Sequence, residues 1–71
     1  MGVKILKVQS LTTSERIRIM MGRRKISSQH LAKKLRISPQ AFNHNLRTGN
    51  WKIKRLETLA KYFNVELNDL L

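Results

Sequence analysis

The sequence predicts an all-α fold: five short helices in one compact domain, preceded by a short extended or β N-terminal arm. Three observations predict it. Good N-cap residues recur ahead of apolar stripes at helical spacing, as at Thr12, Ser27 and Ser38. Left-handed or helix-breaking residues follow those stripes, notably Gly49 and Asn64. The connections between the stripes are only two to five residues long, which suits a bundle of neighbouring helices.

Taken in chain order, residues 3–9 (Val-Lys-Ile-Leu-Lys-Val-Gln) alternate apolar and polar and are rich in β-branched side chains. A short strand and a frayed terminus fit them equally, and residues 1–12 are assigned to the arm. Residues 13–71 form the folded domain. Thr12-Thr13-Ser14-Glu15 reads as a capping box, with the Glu three residues after the capping Thr. It opens a first helix over about Thr13–Arg23 that turns Ile17, Met20 and Met21 inward. Ser27 caps a second helix over Ser28–Leu35, with Leu31, Ala32 and Leu35 as its buried stripe. Ser38-Pro39 starts the third helix, because proline at the first helical position loses an N–H that would have no partner there. That helix runs to Thr48 and Gly49 stops it. Trp51, Ile53, Leu56, Leu59, Ala60 and Phe63 form the stripe of a fourth helix ending at Asn64. Val65–Leu71 reads as a short fifth helix with Leu67, Leu70 and Leu71 apolar.

Charge narrows the function. Fifteen Lys and Arg against four Asp and Glu give a formal charge of +11 and a pI near 11.4. From Arg16 to Arg55 there are twelve basic residues and no acidic one; Glu57, Glu66 and Asp69 follow. Such a polarised molecule is suited to lay one side on a polyanion. A domain of 71 residues has little volume for a deep catalytic pocket. It also shows neither a Ser/His/Asp set nor paired carboxylates, so the expectation is a binding module and not an enzyme. There is no Cys, and two isolated histidines, His30 and His44, do not make a metal site, so no cofactor is expected. The missing Cys suits a reducing interior. No apolar run reaches the ~18 residues of a membrane span, and no signal peptide is evident.

The second and third helices are joined by a turn too short for an antiparallel hairpin, which forces the steep crossing of a helix-turn-helix. Ala32 permits the close approach, Ile37 plugs the core beneath the turn, and Phe42 and Leu46 face inward. The opposite face of the third helix then presents Gln40, Asn43, His44 and Arg47. Arg pairs with guanine edges and Gln or Asn with adenine edges; His is a less specific partner. These four are candidate base readers. Ser28, Gln29, Lys33, Asn50, Lys52 and Lys54 are candidate phosphate contacts, since the start of the second helix and the loop after the third flank the groove in such an arrangement. Arg23, Arg24 and Lys25 read equally as distal phosphate contacts or as a solvated basic loop. Trp51 is read as a lid over the core and His30 as a surface residue.

The run from Ser27 to Phe42 (Ser-Ser-Gln-His-Leu-Ala-Lys-Lys-Leu-Arg-Ile-Ser-Pro-Gln-Ala-Phe) resembles the Cro/cI-type (XRE) helix-turn-helix family. So do Leu46-Arg47-Thr48-Gly49-Asn50-Trp51, the stretch from Leu56 to Val65, and Met21-Gly22-Arg23-Arg24. The resemblance covers about Ser14 to Leu71. It implies a five-helix, lambda-repressor-like domain that acts as a sequence-specific transcriptional regulator of double-stranded DNA. It further implies a repressor with its third helix in the major groove, often a homodimer on a palindromic operator, in a bacterial or phage cytoplasmic setting. Dimer contacts are expected at either the Val3–Val8 strand or the Leu67/Leu70/Leu71 end. Three positions depart from the family pattern. Arg36 stands where a turn Gly is usual, Ser28 where a phosphate-binding Gln is common, and Lys52 where Ser or Thr often caps the fourth helix, a role that Asn50 then takes. The alternative function is a DNA-architectural or recombination-accessory protein on the same fold. RNA binding is disfavoured because only four aromatic residues are present. A membrane-active helix is disfavoured because Pro39 and Gly49 interrupt any continuous amphipathic stretch.

Overall fold

The computed structural model describes residues 11–71. Four α-helices follow one another: α1 (Thr13–Arg24), α2 (Ser28–Leu35), α3 (Pro39–Thr48) and α4 (Ile53–Phe63). A single 3-10 turn over Leu67–Asp69 ends the chain, and there is no strand among the described residues. The short fifth helix expected over Val65–Leu71 is thus only that 3-10 turn, which leaves four α-helices among the described residues. Leu70 is fully buried and Val65 and Leu67 pack half-buried against the core, while Leu71 is 55% exposed. Residues 1–10 of the expected N-terminal arm lie outside the described residues.

The helix starts follow from local chemistry. The Thr12 hydroxyl accepts from Glu15 N–H at 3.1 Å, and the Glu15 carboxylate accepts from Thr12 N–H at 2.8 Å, completing the capping box. The Thr12 N–H, and after it the Thr12 hydroxyl, hold the Glu15 carboxyl below its ordinary range by stabilising its charged form. Ser27 and Ser38 hydroxyls accept from His30 N–H and Ala41 N–H, each at 3.1 Å. Caps of this kind contribute about 1 kcal/mol each.

The helix ends share one device. Lys25, Arg36 and Asn64 adopt left-handed backbone at φ 55, 61 and 59, and Gly49 does so at φ 79. After α2, Ile37 N–H bonds Ala32 C=O at 3.0 Å and Arg36 N–H bonds Lys33 C=O at 3.1 Å. That nested pair is a Schellman motif. Ile26 with Lys25 repeats it after α1, and Val65 with Asn64 repeats it after α4. In each case the residue after the left-handed one is β-branched and packs against the core. At Arg36 the chain thus accepts a left-handed side-chain-bearing residue, and the turn is not reshaped.

Ile17, Leu31, Ala32, Phe42, Leu46, Leu56, Leu59, Ala60, Phe63 and Leu70 form the buried core, with Met20, Met21, Leu35, Ile37 and Trp51 packed against it. Ala32 is fully buried on α2, which packs against α3. Ile53 does not join the stripe expected of it: it opens α4 and is 51% exposed, between the exposed Lys52 and Lys54.

Candidate nucleic-acid interface

The packing of α3 determines what it can offer. Phe42, Asn45 and Leu46 are buried, so Gln40, Asn43, His44 and Arg47 are left on the exposed side. A guanidinium Nη2 of Arg47 lies 3.3 Å from His44 Nδ1, so these neighbouring turns of the helix hold one another's side chains. Pro39 and the Ser38 cap fix where the helix begins, and Gly49, whose N–H bonds Asn45 C=O at 2.9 Å, fixes where it ends.

Ser28, the first residue of α2, lines a groove with Asn43 and Arg47, so three of the expected contact residues meet at one opening. Gln29 and Lys33 line a second concavity, with His30, Ile37 and Pro39, on the flank of the helix-turn-helix. Asn50, Lys52 and Lys54 are exposed on the segment that leads into α4. Asn50 does not cap α4. Lys52 takes the N-cap position with no side-chain hydrogen bond, and the Asn50 carbonyl instead accepts from Asn45 Nδ2 at 2.7 Å. His30 is a surface residue, tilted against the Tyr62 ring at 5.7 Å. Arg24 stands over the Phe63 ring at 5.4 Å and Lys34 over Tyr62 at 5.9 Å, so these two cations also cover aromatic surface.

A buried polar junction beneath the α3 row was not anticipated from the sequence. Asn45 is 7% exposed. Its amide donates to Asn50 C=O, and its Oδ1 accepts from Arg55 Nη1 at 2.9 Å. Ser14, also buried, donates to Asn45 C=O at 3.4 Å and accepts from Trp51 Nε1 at 3.0 Å. Trp51 packs against the core in a T-shaped contact with Phe42, 5.6 Å between centroids, so it is the lid expected of it, with its N–H satisfied. The Thr48 hydroxyl donates to His44 C=O at 2.8 Å and accepts from Asn50 N–H at 3.3 Å. Together α1, α3 and α4 clamp the loop that carries Asn50 and Lys52. A signal existed in the sequence: Asn45 lies three residues after Phe42 and one before Leu46, on the inward face of a helix, where a polar residue demands partners.

Such a helix-turn-helix with a solvent-facing polar and basic second helix, inside a strongly cationic domain, defines the class of helix-turn-helix DNA-binding domains. Residues 16–71 match the family model of the Cro/C1-type HTH DNA-binding domain, and the chain belongs to that family. No curated protein and no solved structure gave a significant match. Among the described residues no helix is long and apolar enough to cross a membrane, and no group of three His, Cys, Asp or Glu is placed to hold a metal ion.

Proposed function

We propose that this DNA-binding domain is a sequence-specific transcriptional regulator, a repressor of the Cro/cI type. In this reading α3 enters the major groove and Gln40, Asn43, His44 and Arg47 read base edges. The observation that carries it is the exposed row of those four side chains on one side of α3, held from beneath by Phe42, Asn45 and Leu46. Ser28, Gln29, Lys33, Asn50, Lys52 and Lys54 serve as phosphate contacts that set register on the duplex. Family practice supports a homodimer on a palindromic operator, with recognition helices about 34 Å apart. It supports a bacterial or phage cytoplasmic setting as well.

Two substitutions separate the roles. Arg47→Ala relaxes preference at one base pair, at a cost of about 1–3 kcal/mol on the preferred sequence. Lys52→Ala weakens all sequences alike and lowers the salt dependence of binding by about one counterion. Fluorescence anisotropy on matched and mismatched duplexes across a salt series measures both. Equal losses on specific and non-specific DNA from both variants would show that α3 does not read bases through this face.

A further inference from the structure

The groove that brings Ser28, Asn43 and Arg47 together has a third wall, from outside the helix-turn-helix. Arg18 and Met21 of α1 line it, with Leu46 of α3 completing the lining. Leu46 is buried and Met21 half-buried, so the floor is apolar; Arg18, Asn43 and Arg47 are exposed and Ser28 is half-buried at the rim. Two guanidinium groups thus border one opening from two different helices, and a hydroxyl and an amide line it with them.

No carboxylate lines the opening. The nearest acid along α1, Glu15, already accepts from Thr12 N–H in the capping box. Every polar group at the rim can donate hydrogen bonds to an oxyanion, and guanidinium pairs with phosphate in the strongest such geometry. Two cations at one opening repel weakly in water, and an anion held between them reverses the sign of that interaction. An oxyanion therefore fits this groove. Asn43 and Arg47 belong both to its rim and to the α3 row, so a duplex lying on that row carries its backbone past the opening.

We propose that Arg18 is a DNA backbone contact. Its guanidinium meets a phosphate at the mouth of the groove it shares with Ser28, Asn43 and Arg47, and α1 thereby takes part in gripping the duplex. This rests on the reading of α3 given above, and it adds a helix to the interface.

The test is Arg18→Gln in the full chain, measured by anisotropy on a preferred and an unrelated duplex over a salt series. The expected result is a salt slope lower by about 0.9 on both duplexes, the value for one phosphate contact, with base preference unchanged. Arg18→Lys retains the slope. Lys61→Gln, at an exposed position of α4 outside this groove, gives the effect of simply removing one charge. A slope equal to that of the Lys61 variant overturns the proposal, as does altered base preference at constant slope. Free phosphate is distinguished through the Arg18 Nε–H NMR signal. Movement with duplex but not with equimolar inorganic phosphate supports the backbone contact; movement with phosphate and none with duplex overturns it. Wild-type protein that binds no duplex would end the DNA reading itself, whereas a wild-type slope in Arg18→Gln ends only the role of α1.

Discussion

Replacing Asn45 by alanine removes the node that joins α3 to the loop behind it. Two side-chain hydrogen bonds go: the one to Asn50 C=O at 2.7 Å and the one from Arg55 Nη1 at 2.9 Å. A neutral hydrogen bond contributes a net ~0.5–1.5 kcal/mol and one to a charged group ~1.5–3. Asn50 is exposed and Arg55 half-buried, so water recovers part of what each loses. The low end, about 2 kcal/mol, is expected. For a domain of this size 1 kcal/mol moves Tm by about 4–8 °C, so Asn45→Ala lowers it by roughly 8–16 °C. Thermal unfolding followed by helical circular dichroism reads the shift. A double-mutant cycle with Arg55→Met isolates the shared bond, with a coupling of about 1 kcal/mol expected. The loop bearing Asn50 and Lys52 loses its tie as well, so DNA affinity falls on all sequences alike. A Tm within about 2 °C of wild type, or strictly additive single variants, would refute the clamp.

Two further outcomes follow from the helix ends. Arg36 holds left-handed backbone at φ 61, a conformation that costs an L side chain about 1–2 kcal/mol. Arg36→Gly relieves that strain against a rise in unfolded-chain entropy of about 0.4–1 kcal/mol. It is expected to hold or raise Tm by a few degrees, whereas Arg36→Val lowers it; the reverse order in thermal melts would contradict the turn geometry. The Glu15 carboxyl is held below its ordinary value by the Thr12 backbone bond and then by the Thr12 hydroxyl. Because the folded group is the stronger acid, its contribution is present above the unfolded glutamate pKa and disappears as pH falls through the lowered folded value. The Tm gap between wild type and Glu15→Gln therefore stays constant near neutrality and closes in acid. A gap that widens in acid would contradict the capping box.

The parts of the fold legible in the sequence are those that depend on short-range chemistry. Thr12 with Glu15, Ser27, Ser38-Pro39 and Gly49 place helix ends because each acts on N–H or C=O groups within a few residues. The inward faces of α2 and α3 were legible for the same reason, since Leu31, Ala32, Phe42 and Leu46 follow helical spacing. The α4 stripe held from Leu56 onward and failed at Ile53, because spacing along one helix does not say how far its neighbours extend over it. The final segment is a 3-10 turn and not a full α-helix, because apolar residues at 67 and 70 suit either. Apolar stripes alone gave no weight to Ser14, Asn45 or Arg55: these are polar residues whose partners lie on other elements, up to 37 residues away for Ser14 and Trp51. Arg18 was likewise invisible as a site residue, since only the crossing of α1 over α3 brings it to Arg47.

In the proposed function α3 reads bases through Gln40, Asn43, His44 and Arg47. Selection of bound sequences from a random duplex library tests it most directly. It predicts a palindromic consensus, two half-sites about one helical turn apart, with one position losing its preference when the selection is repeated with Arg47→Ala. A library that emerges unenriched, while the protein still binds and bends DNA, would contradict it and favour an architectural role.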